Sequence, residues 1–203
     1  MEWNWQDPEW PNFTWDPVRM AAREQAFLLH AGVRIGATQH LGNEDNERLL
    51  VETMSSEALT ASRIEGELLN RDSVQSSIQK QLGLKTDRRR IPAAEQGIAE
   101  MMVDLYRSFA APITSATLFG WHRMLVQERG DLSDIGRYRT GPEPMRIVSG
   151  PVGRPRVHYE APPAARIPTE MKRLIDWFNG TAPDKPGALP ALTRAGLAHL
   201  GSS

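Results

Sequence analysis

Apolar residues recur at helical spacing along most of the chain, and helix-starting and helix-ending residues separate the runs. Asp16 before Pro17 is a cap and first-turn pair, so a helix begins at Pro17. In the run that follows, Val18, Ala21, Ala22, Leu28, Leu29 and Ile35 keep helical spacing to about Gly42, where Asn43 stands ready to cap a second helix. There Leu50, Met54, Ala58, Ala61, Ile64 and Leu68 share one stripe, and the helix is expected to end near Gly66. Glycine inside a helix costs roughly 0.5–1 kcal/mol relative to Ala. Gly66 therefore predicts either a helix end or a close approach by another backbone. Asn70 or Asp72 can cap a third helix, "SVQSSIQKQLG", which stops at Gly83.

The polar stretch "LKTDRRR" reads as a linker, which places a domain boundary between residues 1–87 and 88–203. Beyond it Pro92 opens a helix that closes before Ala111-Pro112, and Thr114 or Ser115 caps "ATLFGWHRMLVQ". The pattern then changes. Two β-prone pieces, 145–149 and 156–159, flank a Gly/Pro turn and predict a hairpin in an otherwise helical chain. Helix resumes with Pro168 in its first turn and Gly180 near its end, and "ALPALTRAGLAHL" makes a last helix. Four tryptophans, Trp3, Trp5, Trp10 and Trp15, fall among Pro8, Pro11 and Pro17 in an opening segment that prolines keep from being helical. A strap lying across an apolar groove is the expected arrangement.

Composition narrows the function classes. Lys plus Arg number 24 against 25 Asp plus Glu, a net charge of -1, so the chain as a whole makes no electrostatic case for nucleic acid or a membrane surface. With no cysteine there is neither a disulfide nor a thiolate metal site. Without a leader-like apolar segment or a bilayer-length run, the chain reads as a soluble cytoplasmic protein. The five histidines, at 30, 40, 122, 158 and 199, form no metalloprotease pair, and no metal site is predicted. His122 reads as a hydrogen-bonded helix residue, whereas His158 lies on the hairpin. Phosphate-binding glycine loops and a nucleophile elbow are absent, and Arg88, Arg89 and Arg90 read as a solvated segment.

Three stretches taken in order carry a resemblance. "WPNFTWD", "SRIEGELLNRDSVQSSIQKQLGL" and "GRYRTGPEPMRIVSGPVGRPRVHYEAPPAARIPTEM" resemble the Fic family of protein adenylyltransferases, in the subgroup with an N-terminal accessory domain. The resemblance implies a mainly α, Fic-type helical bundle with one β-hairpin, the flap, preceded by a helical N-terminal domain. It implies transfer of AMP from ATP to a Ser, Thr or Tyr hydroxyl of a target protein, with ATP and Mg²⁺ as cofactors. Glu65 and Gly66 match the family's inhibitory helix. The hydroxyl position of that pattern falls on Ala61, with Thr60 and Ser62 beside it. A carboxylate there pairs with an arginine that otherwise holds the γ-phosphate.

Across the flap, Arg146, Ile147, Val148 and Ser149 on one strand and Val157, His158 and Tyr159 on the other are implied to dock an extended target segment through main-chain hydrogen bonds. The family's catalytic pattern, His-Pro-Phe-x-Asp/Glu-Gly-Asn-Gly-Arg, is not among these residues, which finish "AGLAHLGSS". The expectation is an incomplete core that transfers no AMP by itself. An alternative from another class is a non-catalytic regulatory or protein-interaction module. Self-association is expected through the last helix, with Leu192, Leu197 and Leu200 partly exposed.

Overall fold

A computed structural model describes the chain except residues 1, 2, 11, 88, 152 and 203, with residues 201 and 202 as backbone only. Pro11 of the opening segment, Arg88 of the basic cluster, Val152 of the hairpin turn and Ser203 thus lie outside the described residues. The helices are α1 (Pro17–Thr38), α2 (Asn43–Ile64), α3 (Arg71–Gln81), α4 (Ala93–Ser108), α5 (Ser115–Leu125), α6 (Ile167–Gly180) and α7 (Ala191–Ser202). β1 (Arg146–Ser149) and β2 (Arg156–Glu160) form a two-stranded antiparallel sheet, so the described residues are mainly α with one small hairpin.

Side-chain acceptors set several helix starts by satisfying the first free amides. Asp16 Oδ1 accepts from the Val18 and Arg19 amides at 2.9 and 3.2 Å. Asn70 Oδ1 takes the Ser73 amide at 3.0 Å and Thr114 Oγ1 the Thr117 amide at 3.1 Å. At α2 the cap differs from expectation: Gly42 is the capping residue, and Asn43 is already the first helical residue.

Contacts divide the chain into two compact units, Val33–Gly136 and Met1–Gly32 with Arg137–Ser203. This division differs from a boundary at 87/88, and the reason is packing across the linker. α3 and α4, on either side of it, pack together, and the linker is itself tied to α3 where Ser76 Oγ donates to Asp87 Oδ1 at 2.8 Å. That hydrogen bond first, and then the one from Arg89, hold the Asp87 carboxyl below its ordinary range.

In the unit 33–136, α2, α3 and α4 share a core of Val51, Met54, Ala58, Val74, Ile78, Ile98, Ala99 and Val103. The buried face of α2 is Val51, Met54, Ser55 and Ala58, rotated from the predicted stripe. Ala61, Ile64 and Leu68 are exposed. Small residues explain the shift: Ser55, whose hydroxyl is satisfied by the Val51 carbonyl at 2.6 Å, lets a neighbouring helix come close. Gly97 does the same between α4 and α5. A Cβ there would lie 1.9 Å from the Met124 carbonyl oxygen. His122 Nδ1 accepts the Gly136 amide at 3.1 Å, in keeping with the structural reading of that histidine.

In the other unit the buried residue of α1 is a charged one. Val18, Leu28 and Leu29 are exposed, while Glu24 is only 8% exposed. Its Oε1 accepts the Thr193 amide at 2.7 Å and the Thr193 hydroxyl at 3.0 Å, and its Oε2 accepts the Leu192 amide at 3.2 Å. Pro190, whose carbonyl takes the Arg194 amide, offers no side-chain acceptor to the start of α7. Glu24 supplies one from another helix. Arg194 in turn donates to the Phe178 carbonyl near the end of α6 at 2.8 Å and lies over the Phe178 ring. Leu197 is buried, contrary to the expected exposure, whereas Leu200 is exposed. The opening strap lies against α6 and α7, and Trp10, Phe13, Trp15, Leu174, Trp177 and Leu197 line a cavity of about 320 Å³.

Two outcomes test this packing. Gly97→Ala should cost about 2–3 kcal/mol in urea unfolding, because the methyl group forces α4 and α5 apart. Burial pushes the Glu24 carboxyl up, but hydrogen bonds from the Thr193 and Leu192 amides and the Thr193 hydroxyl outweigh it, so the net shift is downward. A carboxyl lowered in the folded state contributes stability above its unfolded value, and that contribution is lost as pH falls through the folded one. Stability of the Glu24→Gln variant, followed by urea unfolding from about pH 7 to about pH 3, should be lower at neutral pH and should fall less on acidification than that of the parent chain.

Candidate target-docking hairpin and inhibitory helix end

α2 ends in the unit 33–136 at Ile64, with Glu65 as its C-cap and Gly66 following at φ +84°. The Glu67 amide donates to the Ser62 carbonyl at 2.8 Å and the Gly66 amide to the Arg63 carbonyl at 3.1 Å. This pair of bonds is the Schellman arrangement, which needs a left-handed residue where Gly66 stands. A Cβ at 66 would meet no atom within 4 Å. Of the two explanations for a glycine here, the helix end therefore holds, and close approach by another backbone does not.

Glu65 and Gly66 are exposed, Ser62 is half-buried, and the Glu65 carboxylate makes no hydrogen bond or ion pair among the described residues, although its amide donates to the Ala61 carbonyl at 3.2 Å. The connection beyond it is fixed at its far end, where the Asn70 amide donates to the buried Glu95 Oε1 at 3.1 Å. Glu65 thus stands at a defined corner with its carboxylate turned to solvent. The helix end at Gly66 was legible in the sequence, but the buried anchor Glu95 was not, since nothing local marks a glutamate that bonds a backbone 25 positions away.

The hairpin belongs to the other unit. Arg146 pairs with Glu160, Ile147 with Tyr159, Val148 with Val157 and Ser149 with Arg156. His158 is the extra residue of a bulge between the second and third of these pairs, and bulges sharpen the local twist. Its Nε2 lies 2.5 Å from Ser149 Oγ in a hydrogen bond across the strands. Arg146 Nε meets Glu160 Oε2 at 2.6 Å. All seven hairpin residues implied by the resemblance are thus brought together.

The two strands have different surroundings. On β2, Trp5 Nε1 donates to the Glu160 carbonyl at 2.6 Å, and Trp3 packs edge-on against Tyr159 with ring centroids 5.9 Å apart. The Arg166 guanidinium lies 5.2 Å from the centre of the Trp5 ring. Burial raises the Tyr159 hydroxyl above its ordinary pKa. All four residues of β1 are exposed, and no further strand pairs with it among the described residues. Ile147 and Val148 on that open strand, and Met145 just before it, are exposed large apolar side chains. The strap's grip on β2 links positions more than 150 residues apart, which local pattern does not reveal.

Among the described residues no group of three His, Asp or Glu side chains could hold a metal ion. In the basic linker, Arg89 pairs with Asp87 at 2.6 Å and with Asp72 at 3.6 Å. No described helix is long and apolar enough to cross a membrane.

Residues 3–84 match a family described as a domain of unknown function, DUF4172. The match takes in the strap, α1, α2 with its Gly66 cap, and α3, and it ends just after the Gly83 turn. No curated protein sequence matches the chain.

The cap makes a direct prediction. Gly66→Ala should destabilise the chain by about 1 kcal/mol, the cost of a left-handed alanine, and Gly66→Asn by less, as read from urea midpoints.

Proposed function

We propose that these residues are the regulatory and target-docking part of a cytoplasmic Fic-type protein adenylyltransferase, a class that transfers AMP from ATP, with Mg²⁺, to a hydroxyl of a target protein. The observation that carries the reading is the asymmetric hairpin, gripped by the strap on β2 and open along β1. An open strand of exposed apolar residues is the element that an extended segment of another protein can extend by main-chain pairing. Glu65, unpaired at the exposed end of α2, supports the second half of the reading, because a guanidinium can reach it without displacing another partner.

The 203 residues hold no general base or phosphate cradle of the Fic pattern, so the chain by itself should leave radiolabelled AMP untransferred. Mixed with a Fic catalytic core that lacks its own inhibitory helix, the chain should slow that core's self-modification about tenfold, and Glu65→Ala should abolish the effect. Transfer by the chain alone would overturn the division of labour. Inhibition that survives Glu65→Ala, or no inhibition, would leave the non-catalytic interaction module as the better reading.

A further inference from the structure

The local charge of the hairpin opposes that of the chain. Residues 137–160 carry five arginines and two glutamates, a net charge of +3 within a chain of net charge -1. Some of this charge is committed. Arg146 is paired with Glu160, and Arg139 donates to the Pro162 carbonyl. Arg154 and Arg156, at the turn end of β2, are exposed, and no carboxylate pairs with either among the described residues. Arg156 stands opposite Ser149, the last residue of β1, so the unpaired cations gather at one end of the open strand. The apolar side chains Met145 and Ile147 lie toward the other end.

We infer that the partner of β1 is an extended acidic protein segment, with carboxylates near the turn end of the hairpin and apolar side chains near its base. The inference rests on the docking reading above and adds the chemistry of the segment that docks. Neighbouring strands lie about 4.8 Å apart, so a strand added to β1 runs about 10 Å from β2, within the reach of a long arginine side chain. Long side chains bring the charges closer together than the backbones are, inside the screening length of about 8 Å at physiological ionic strength. An antiparallel partner runs from the turn toward the base, which puts its acidic residues N-terminal to its apolar ones. For a target protein this places the acceptor hydroxyl on, or just beside, an acidic stretch of extended chain. A basic segment is disfavoured at the same edge by like charge.

Fluorescence polarisation with the intact 203-residue chain tests this. The probes are a labelled nine-residue peptide of alternating Val and Thr carrying three N-terminal glutamates, the same peptide with lysines in place of the glutamates, and the glutamate peptide with alternate backbone nitrogens methylated. The glutamate peptide should bind at least about tenfold tighter than the lysine peptide at about 0.1 M salt. The difference should collapse in the Arg154→Glu/Arg156→Glu variant, and methylation should abolish binding. Equal binding of the glutamate and lysine peptides, both sensitive to methylation, would overturn the acidic preference and leave the docking reading standing. Binding by neither peptide, or binding indifferent to methylation, would overturn the docking reading itself. Tighter binding of a labelled oligothymidylate than of the glutamate peptide would overturn both in favour of a nucleic-acid surface.

Discussion

Glu24 is a carboxylate largely removed from water, and a buried charge persists only where its hydrogen-bonding capacity is filled. Here the first turn of α7 fills it. The amides of Leu192 and Thr193 need an acceptor that Pro190 cannot give, and Glu24 needs donors. Each half is costly alone, and together they hold a residue of α1 to a helix far along the chain. The same logic of unfilled backbone groups recurs through the molecule. Asn70 and Thr114 cap their own helices, Arg194 reaches the Phe178 carbonyl, and Gly66 lets the last carbonyls of α2 turn inward.

Seen through this constraint, the strap has a structural task as well as an aromatic composition. Trp5 brings both a ring, which sits under the Arg166 guanidinium, and an N–H, which finds the Glu160 carbonyl. An indole is suited to that double task because one edge is polar and the rest is not. One strand of the hairpin is thereby anchored while the other stays open. A two-stranded hairpin is marginal in water without such packing.

Residues that act on their neighbours were legible in the sequence. Asp16-Pro17, Asn70, Gly83 and Pro168 mark helix boundaries by local chemistry, and the turn residues between two β-prone runs marked the hairpin. Residues that act at a distance were not. A glutamate within a helical run reads as a surface residue until the amides of α7 are placed beside it, and Gly97 reads as a mild helix defect until the Met124 carbonyl lies against it. Met54 and Ala58 of the expected stripe of α2 are buried, but Val51 and Ser55 join them and Ile64 and Leu68, at and beyond the helix's end, are exposed. Near the candidate site, the helix end at Gly66 and the two strands of the hairpin followed from local pattern. The open state of β1 did not, since it depends on where the strap lies.

The Schellman ending of α2 has an electrostatic consequence for the residue just before its glycine. The aligned peptide dipoles of a helix leave its C-terminal end partially negative, and a carboxylate there is in an unfavourable place. Glu65 occupies that place exposed to solvent and without an ion-pair partner among the described residues, with Arg63 as the basic residue of the same last turn. The macrodipole of α2 and the carboxylate therefore add rather than cancel. Arg63 in the same turn offsets part of that sum, and the Schellman backbone fixes where the Glu65 main chain stands.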